Sequence, residues 1–376
     1  MLARLMVPHG IVEDVPPVEI RLENAPHSSM DAIAQGTIEG VRLLTAVIAM
    51  LAKEPNHTRR IELSRAALPV VAQLTPLLER KEEATQKAIA ALGAGTYNQL
   101  SGELRDADLA KVGELAEQVL TQTEDLYRAE MDGATRRELS LARSELRRCD
   151  IPRFFHHVSV QSAFPAEQML PRLKALLSGM GLDLGAMKNI TIDDKASDRK
   201  NPRSVCFPVE VPGDIRLSVK PRTGVDDYLQ LFHEVGHALH FASATTTTWE
   251  FQQLGNNTVP EAYAFLLEDR LSDPRYLAEL GMTGELLNTY VRSAAVKKLY
   301  MLRRYAGKVL FELAWHAGEA NPKARYAQIM TRAYAFPVSD DDAAQMMQLL
   351  SRRLQQHSAS TTVRETAWPL PLNWTW

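Results

Sequence analysis

Five consecutive residues constrain this chain more than any other feature: His233-Glu234-Val235-Gly236-His237. Histidines four apart on a helix stand one turn apart on the same side, so both imidazoles aim at one point. Two ring nitrogens at that spacing can each reach a single Zn²⁺ at about 2.0–2.1 Å. Glu234 lies about 100° round the helix from His233. There it can take a proton from water at the metal without ligating the ion. The surrounding text supports a helix. Tyr228, Leu231, Phe232, Val235 and Leu239 form an apolar face, and Asp226 or Asp227 can cap a start at about Tyr228. Gly236 has no local reason to sit inside it, since glycine costs about 1 kcal/mol there relative to alanine. Close approach of another backbone, or of the helix that brings the metal's third ligand, is the expected reason.

A catalytic tetrahedral site needs a third protein ligand and one open position. The next helix opens at Pro260-Glu261, with Glu268 two turns beyond Glu261 on the same face. Glu261 is the preferred ligand, giving one zinc per chain held by His233, His237 and Glu261. Glu268 either accepts a hydrogen bond from a ligand histidine or is a plain surface charge. His240 shares the His237 face and is either a contact near the metal or substrate or a packed helix histidine. His156 and His157 have no partner at ligand spacing. Tyr300 and Tyr305 are candidate donors to a developing oxyanion, followed by Tyr334 and His316.

His233-Glu234-Val235-Gly236-His237-Ala238-Leu239-His240, then Gly255, Glu261 and Glu268, resembles the thimet oligopeptidase and oligoendopeptidase F family of zinc metallopeptidases. That family carries H-E-x-G-H-x-x-H, a glutamate ligand on a following helix and a second glutamate two turns further. The run Asp227-Tyr228-Leu229-Gln230-Leu231-Phe232 is similar as well. The resemblance is dense over residues 190–275, extends to 316 and is thin across the N-terminal helices. It implies a zincin-like fold with two largely helical lobes around a cleft, and endopeptidase action on short peptides. It also implies His233, His237 and Glu261 as ligands and Glu234 as general base. The chain departs from the family in two respects. It reads as a shortened member, and the family's downstream Gly-Tyr-x-x-x-Tyr-Tyr segment, which donates to the oxyanion, has no counterpart here.

The 376 residues suffice for an N-terminal helical lobe at 1–150, a catalytic domain at 151–357 and an irregular tail at 358–376. Apolar periodicity predicts a mainly helical protein. Helices are expected at 29–53, 59–92 kinked or split at Pro69 and Pro76, 101–149 as a hairpin broken near Gly133, 166–180, 260–272, 283–316, 322–334 and 341–356. One small sheet is expected from strands at 205–209 and 215–219 joined by a turn at Pro212-Gly213. Residues 1–29 read as an irregular leader. A net charge of −3 gives no reason to propose nucleic acid as a partner. The longest apolar run, 43–52, is about half of what a membrane span requires. With Cys149 and Cys206 read as reduced thiols, the expectation is a cytoplasmic protein with no membrane contact. No feature of the sequence sets an oligomeric state.

These readings point to zinc-dependent hydrolysis of peptide bonds in short peptides. The sheet edge beside the zinc is expected to accept substrate backbone as an added strand. The alternative is a catalytically impaired relative that keeps zinc as a binding module. A third is a helical interaction protein without metal, built on the helices of residues 100–150.

Overall fold

The computed structural model describes residues 47–66, 68, 75–195, 197, 200, 203–253, 258–339 and 342–343. The leader, Pro69, Gly255, the tail, residues 29–46 of the first expected helix and nearly all of the helix expected at 341–356 lie outside those residues; residues 47–53 are helical as expected. The protein is mainly helical with a three-stranded sheet. In chain order the elements are α1 (His57–Ala66), α2 (Thr75–Ala91), α3 (Tyr97–Arg105), α4 (Leu109–Gln122), α5 (Glu124–Leu139) and α6 (Met169–Gly179). Strands β1 (Ile190–Asp193), β2 (Val205–Glu210) and β3 (Asp214–Ser218) follow. The chain then forms α7 (Val225–Ala242), α8 (Thr258–Glu268), α9 (Pro274–Glu279), α10 (Gly284–His316) and α11 (Pro322–Tyr334). No helix among the described residues is long and apolar enough to cross a membrane.

Two compact units divide the described chain: residues 47–155 with 296–343, and His156–Ala295. The expected domains, 1–150 and 151–357, exchange near the first boundary, but the chain returns to the first unit inside α10. The reason is packing. Tyr290 and Ala294 enter the core of the second unit, whereas Val296, Tyr300, Ala306 and Phe311 enter that of the first.

In the first unit the expected hairpin breaks at Thr123, not at Gly133, which lies within α5. Thr123 Oγ1 donates to Val119 O at 2.6 Å, turning the hydroxyl back on its own helix where α4 ends. The expected split is present among the described residues: α1 ends at Ala66 and α2 starts at Thr75, with Pro76 in its first turn, where a missing N–H costs nothing. Arg303, fully buried, ties this unit together. Its guanidinium donates to Leu120 O and Thr123 Oγ1 near the end of α4, and to Arg332 O and Ala333 O near the end of α11, all within 2.6–2.9 Å. Carbonyls in a last helical turn have no partner within their own helix, so one planar fork serves two helix ends. Arg303→Met is expected to lower unfolding stability by about 3–5 kcal/mol, because it strips several buried acceptors at once. Urea titration measures this, and an unchanged midpoint would contradict the assignment.

The second unit holds the sheet, in the order β1-β3-β2. β2 and β3 pair antiparallel as the turn text predicts, while β1, which was not foreseen, runs parallel to β3. Tyr228, Leu231, Phe232 and Val235 of α7 share one core with Ile215 and Leu217 of β3 and Leu173 and Leu177 of α6. α7 begins at Val225, one turn before the expected start. Its cap is Gly224, at φ 134, and neither aspartate caps it. That backbone conformation excludes a side chain at acceptable cost, so glycine sets the start. Asp226 and Asp227 fall inside the first turn, where negative charge meets the helix dipole favourably.

Candidate metal centre

The helix α7 presents His233 and His237 as their spacing requires, with the two Nε2 atoms 3.2 Å apart and the rings nearly perpendicular. α8 brings Glu261 against both: Oε2 lies 3.4 Å from His233 Nε2, and Oε1 lies 3.8 Å from His237 Nε2. These three residues are the one group of metal-ligating type that converges among the described residues, and it could hold a metal ion. Two observations test the fit. Nitrogens each about 2.0–2.1 Å from one zinc in tetrahedral array stand about 3.3 Å apart, close to the Nε2 separation. Glu261 Oε2 is buried and has no hydrogen-bond partner among the described residues. A buried carboxylate oxygen left so needs a cation or another donor. The donor set of two imidazoles and one carboxylate suits zinc chemically.

The electrostatics agree with a place for positive charge. Burial opposes protonation of His233, but the carboxylates of Glu261 and Glu268 outweigh it and raise its pKa to about 9. Burial and then the charge of His233 depress His237 to about 4. Both ring nitrogens face Glu261.

Glu268, two turns along α8 from Glu261, accepts a 2.9 Å hydrogen bond from His233 Nδ1. That bond fixes the tautomer with Nε2 as the ligand atom and holds the ring plane. The close approach expected at Gly236 is present. A Cβ there would stand 2.5 Å from Ala264 Cα, 2.5 Å from Tyr263 O and 2.8 Å from Ala264 N, all backbone atoms of α8.

Glu234 reaches the sheet. Its Oε2 accepts a 2.7 Å hydrogen bond from the backbone N–H of Cys206 on β2. Burial raises its pKa to about 7, against the opposing pull of the Cys206 N–H and of His233. A carboxylate poised there suits proton transfer near neutrality. The Cys206 N–H was not foreseen, because a backbone group leaves no letter in the sequence. It also changes the expectation for the sheet edge. Along an edge strand, alternate residues turn both backbone groups outward. Cys206 is outward-facing, so Pro208 is too, and Pro208 has no N–H. At these two positions the strand has no available N–H donor.

The remaining candidates separate. His240 stacks on Tyr263 of α8, ring centroids 4.9 Å apart, and is part-exposed. His156 pairs with Asp226 and His157 contacts Ser293, both apart from the cluster. Tyr300, Tyr305, Tyr334 and His316 belong to the first unit. Tyr300 is buried there, stacked on Tyr334 at 5.1 Å, and His316 stacks on Tyr97 at 4.0 Å. No protein-family model matches the chain, and no curated protein matches it.

Proposed function

We propose that this chain is a zinc-dependent peptidase acting on short peptides, with the zincin-like architecture of the thimet oligopeptidase and oligoendopeptidase F type that its motif resembles. The observation that carries this reading is the convergence of His233 Nε2, His237 Nε2 and the Glu261 carboxylate, with Glu234 held just outside the set. Bound there, zinc supplies Lewis acidity to water and to the scissile carbonyl. His233, oriented by Glu268, His237 and Glu261 hold the ion. Glu234 moves the proton: Cys206 N–H steadies Oε2, and Oε1 takes a proton from the attacking water and returns it to the leaving nitrogen.

Purified protein is expected to contain about one zinc per chain, and His237→Ala to lose it, since two ligands hold the ion poorly. Elemental analysis reads both results; absence of zinc with no uptake on addition would remove the basis of the proposal. A panel of quenched short peptides, with and without chelator, tests the activity. Slow turnover on every peptide by a zinc-loaded protein would support a binding module in place of a peptidase.

A further inference from the structure

Two adjacent arginines of α10 stand in different surroundings within the first unit. Arg303 is fully buried, and its guanidinium is bonded to four acceptors. Arg304 keeps part of its surface accessible and makes no hydrogen bond or ion pair among the described residues. An arginine is charged at every working pH and presents five N–H donors in a planar fork. Taking such a charge partly out of water without an anion is unfavourable.

The helix offers Arg304 no anion. Neighbours on a helix surface lie three and four residues away. For Arg304 these are Tyr300, Met301, Gly307 and Lys308, and Lys308 is itself a buried cation. Burial works against the Arg304 charge; the groups that favour it are the phenols of Tyr334, Tyr300, Tyr305 and Tyr326, none of them a carboxylate. Tyr334 of α11 stacks on Tyr300 of α10 at 5.1 Å, so both helices bring hydroxyl-bearing rings to this cation. A guanidinium fork gives a carboxylate two parallel N–H bonds, and phenol hydroxyls can donate to the lone pairs that remain. A phosphate dianion would call for a second accessible cation, and Lys308 is buried.

We propose that Arg304 anchors a carboxylate-binding site in the first unit, in which the anion that the folded chain does not supply comes from a small carboxylate ligand. The site is separate from the metal-ligating group, and it stands whether or not the chain is a peptidase.

The test is thermal unfolding of the full chain as sodium acetate replaces sodium chloride at constant ionic strength. Acetate at about five times its dissociation constant is expected to raise the melting temperature of wild type by about 2–4 °C. Arg304→Met keeps the length of the stem and removes the fork, and the rise is expected to vanish. Arg304→Lys keeps the charge alone and is expected to need about tenfold more acetate for the same rise. Acetate can also ligate zinc, so His237→Ala serves as the control and is expected to keep the rise. No rise in wild type, an equal rise in wild type and Arg304→Met, or a rise that disappears in His237→Ala overturns the proposal. So does a lowered melting temperature without acetate in both Arg304 variants, which would make the guanidinium a group that holds the fold. Sodium phosphate forms the second arm: protection by phosphate and not by acetate would reject the carboxylate assignment.

Discussion

Glu234→Gln is expected to keep its zinc and lose turnover by about 10²–10⁴-fold, the range a positioned general base contributes. The substitution is well isolated. Glutamine keeps an oxygen that can still accept the Cys206 N–H, so the contact of α7 with β2 survives. None of His233, His237 and Glu261 is touched, so metal content provides an internal control. What disappears is the group able to take and release a proton. Turnover within a few-fold of wild type, measured on one good peptide with zinc content matched, would mean that another residue does the proton work.

Gly236→Ala is expected to damage the site without altering any ligand. The added Cβ would collide with the backbone of α8 at Tyr263 and Ala264, and no rotamer change relieves a clash with main chain. α8 must move out, and Glu261 and Glu268, on the face around Ala264, move with it. Metal sites tolerate displacements of about 0.2 Å in ligand distance, so zinc affinity should fall about 100-fold or more. Overpacking costs about 1–3 kcal/mol, offset by the roughly 1 kcal/mol helix preference of alanine. Stability should therefore change much less than metal affinity. Competition with a chelator of known strength reads the first, and thermal unfolding of the metal-free protein the second. Wild-type zinc affinity in Gly236→Ala would show that the helix separation is not set at this contact.

The parts of the site that were legible in the sequence are those fixed by helical geometry alone. His233, His237 and Glu234 sit where a four-residue spacing puts them, and Glu261 and Glu268 share a face because they are two turns apart. Gly236 was legible as an anomaly, a residue that local propensity rejects and only a neighbouring backbone explains. The pairing of Glu268 with His233 and not with solvent depends on how α8 crosses α7, which no local pattern encodes. The Cys206 N–H depends on strand register, and the change of unit at Val296 falls within one uninterrupted helical pattern. The text of α10 marks which residues are apolar but not which core receives them. The hairpin break was assigned to Gly133 on composition, whereas the chain breaks at Thr123, where a hydroxyl turns back on its own helix.

The division of the chain has a consequence for the order of folding during synthesis. Residues 156–295 are contiguous and bury a core of their own, so every described part of the metal-site unit has been synthesised before Val296 is added. The first unit, by contrast, cannot close until Arg303, Phe311, Tyr326 and Tyr334 arrive to complete it. Chains generally fold from the N-terminus as units become complete. Here the rule is inverted for the leading segment, which must wait with its apolar helix faces uncovered while the later-made unit folds first. Stalled nascent chains just long enough for residue 295 to have cleared the ribosomal tunnel would therefore already protect α7 and α8 from proteolysis while α4 and α5 remained cleavable.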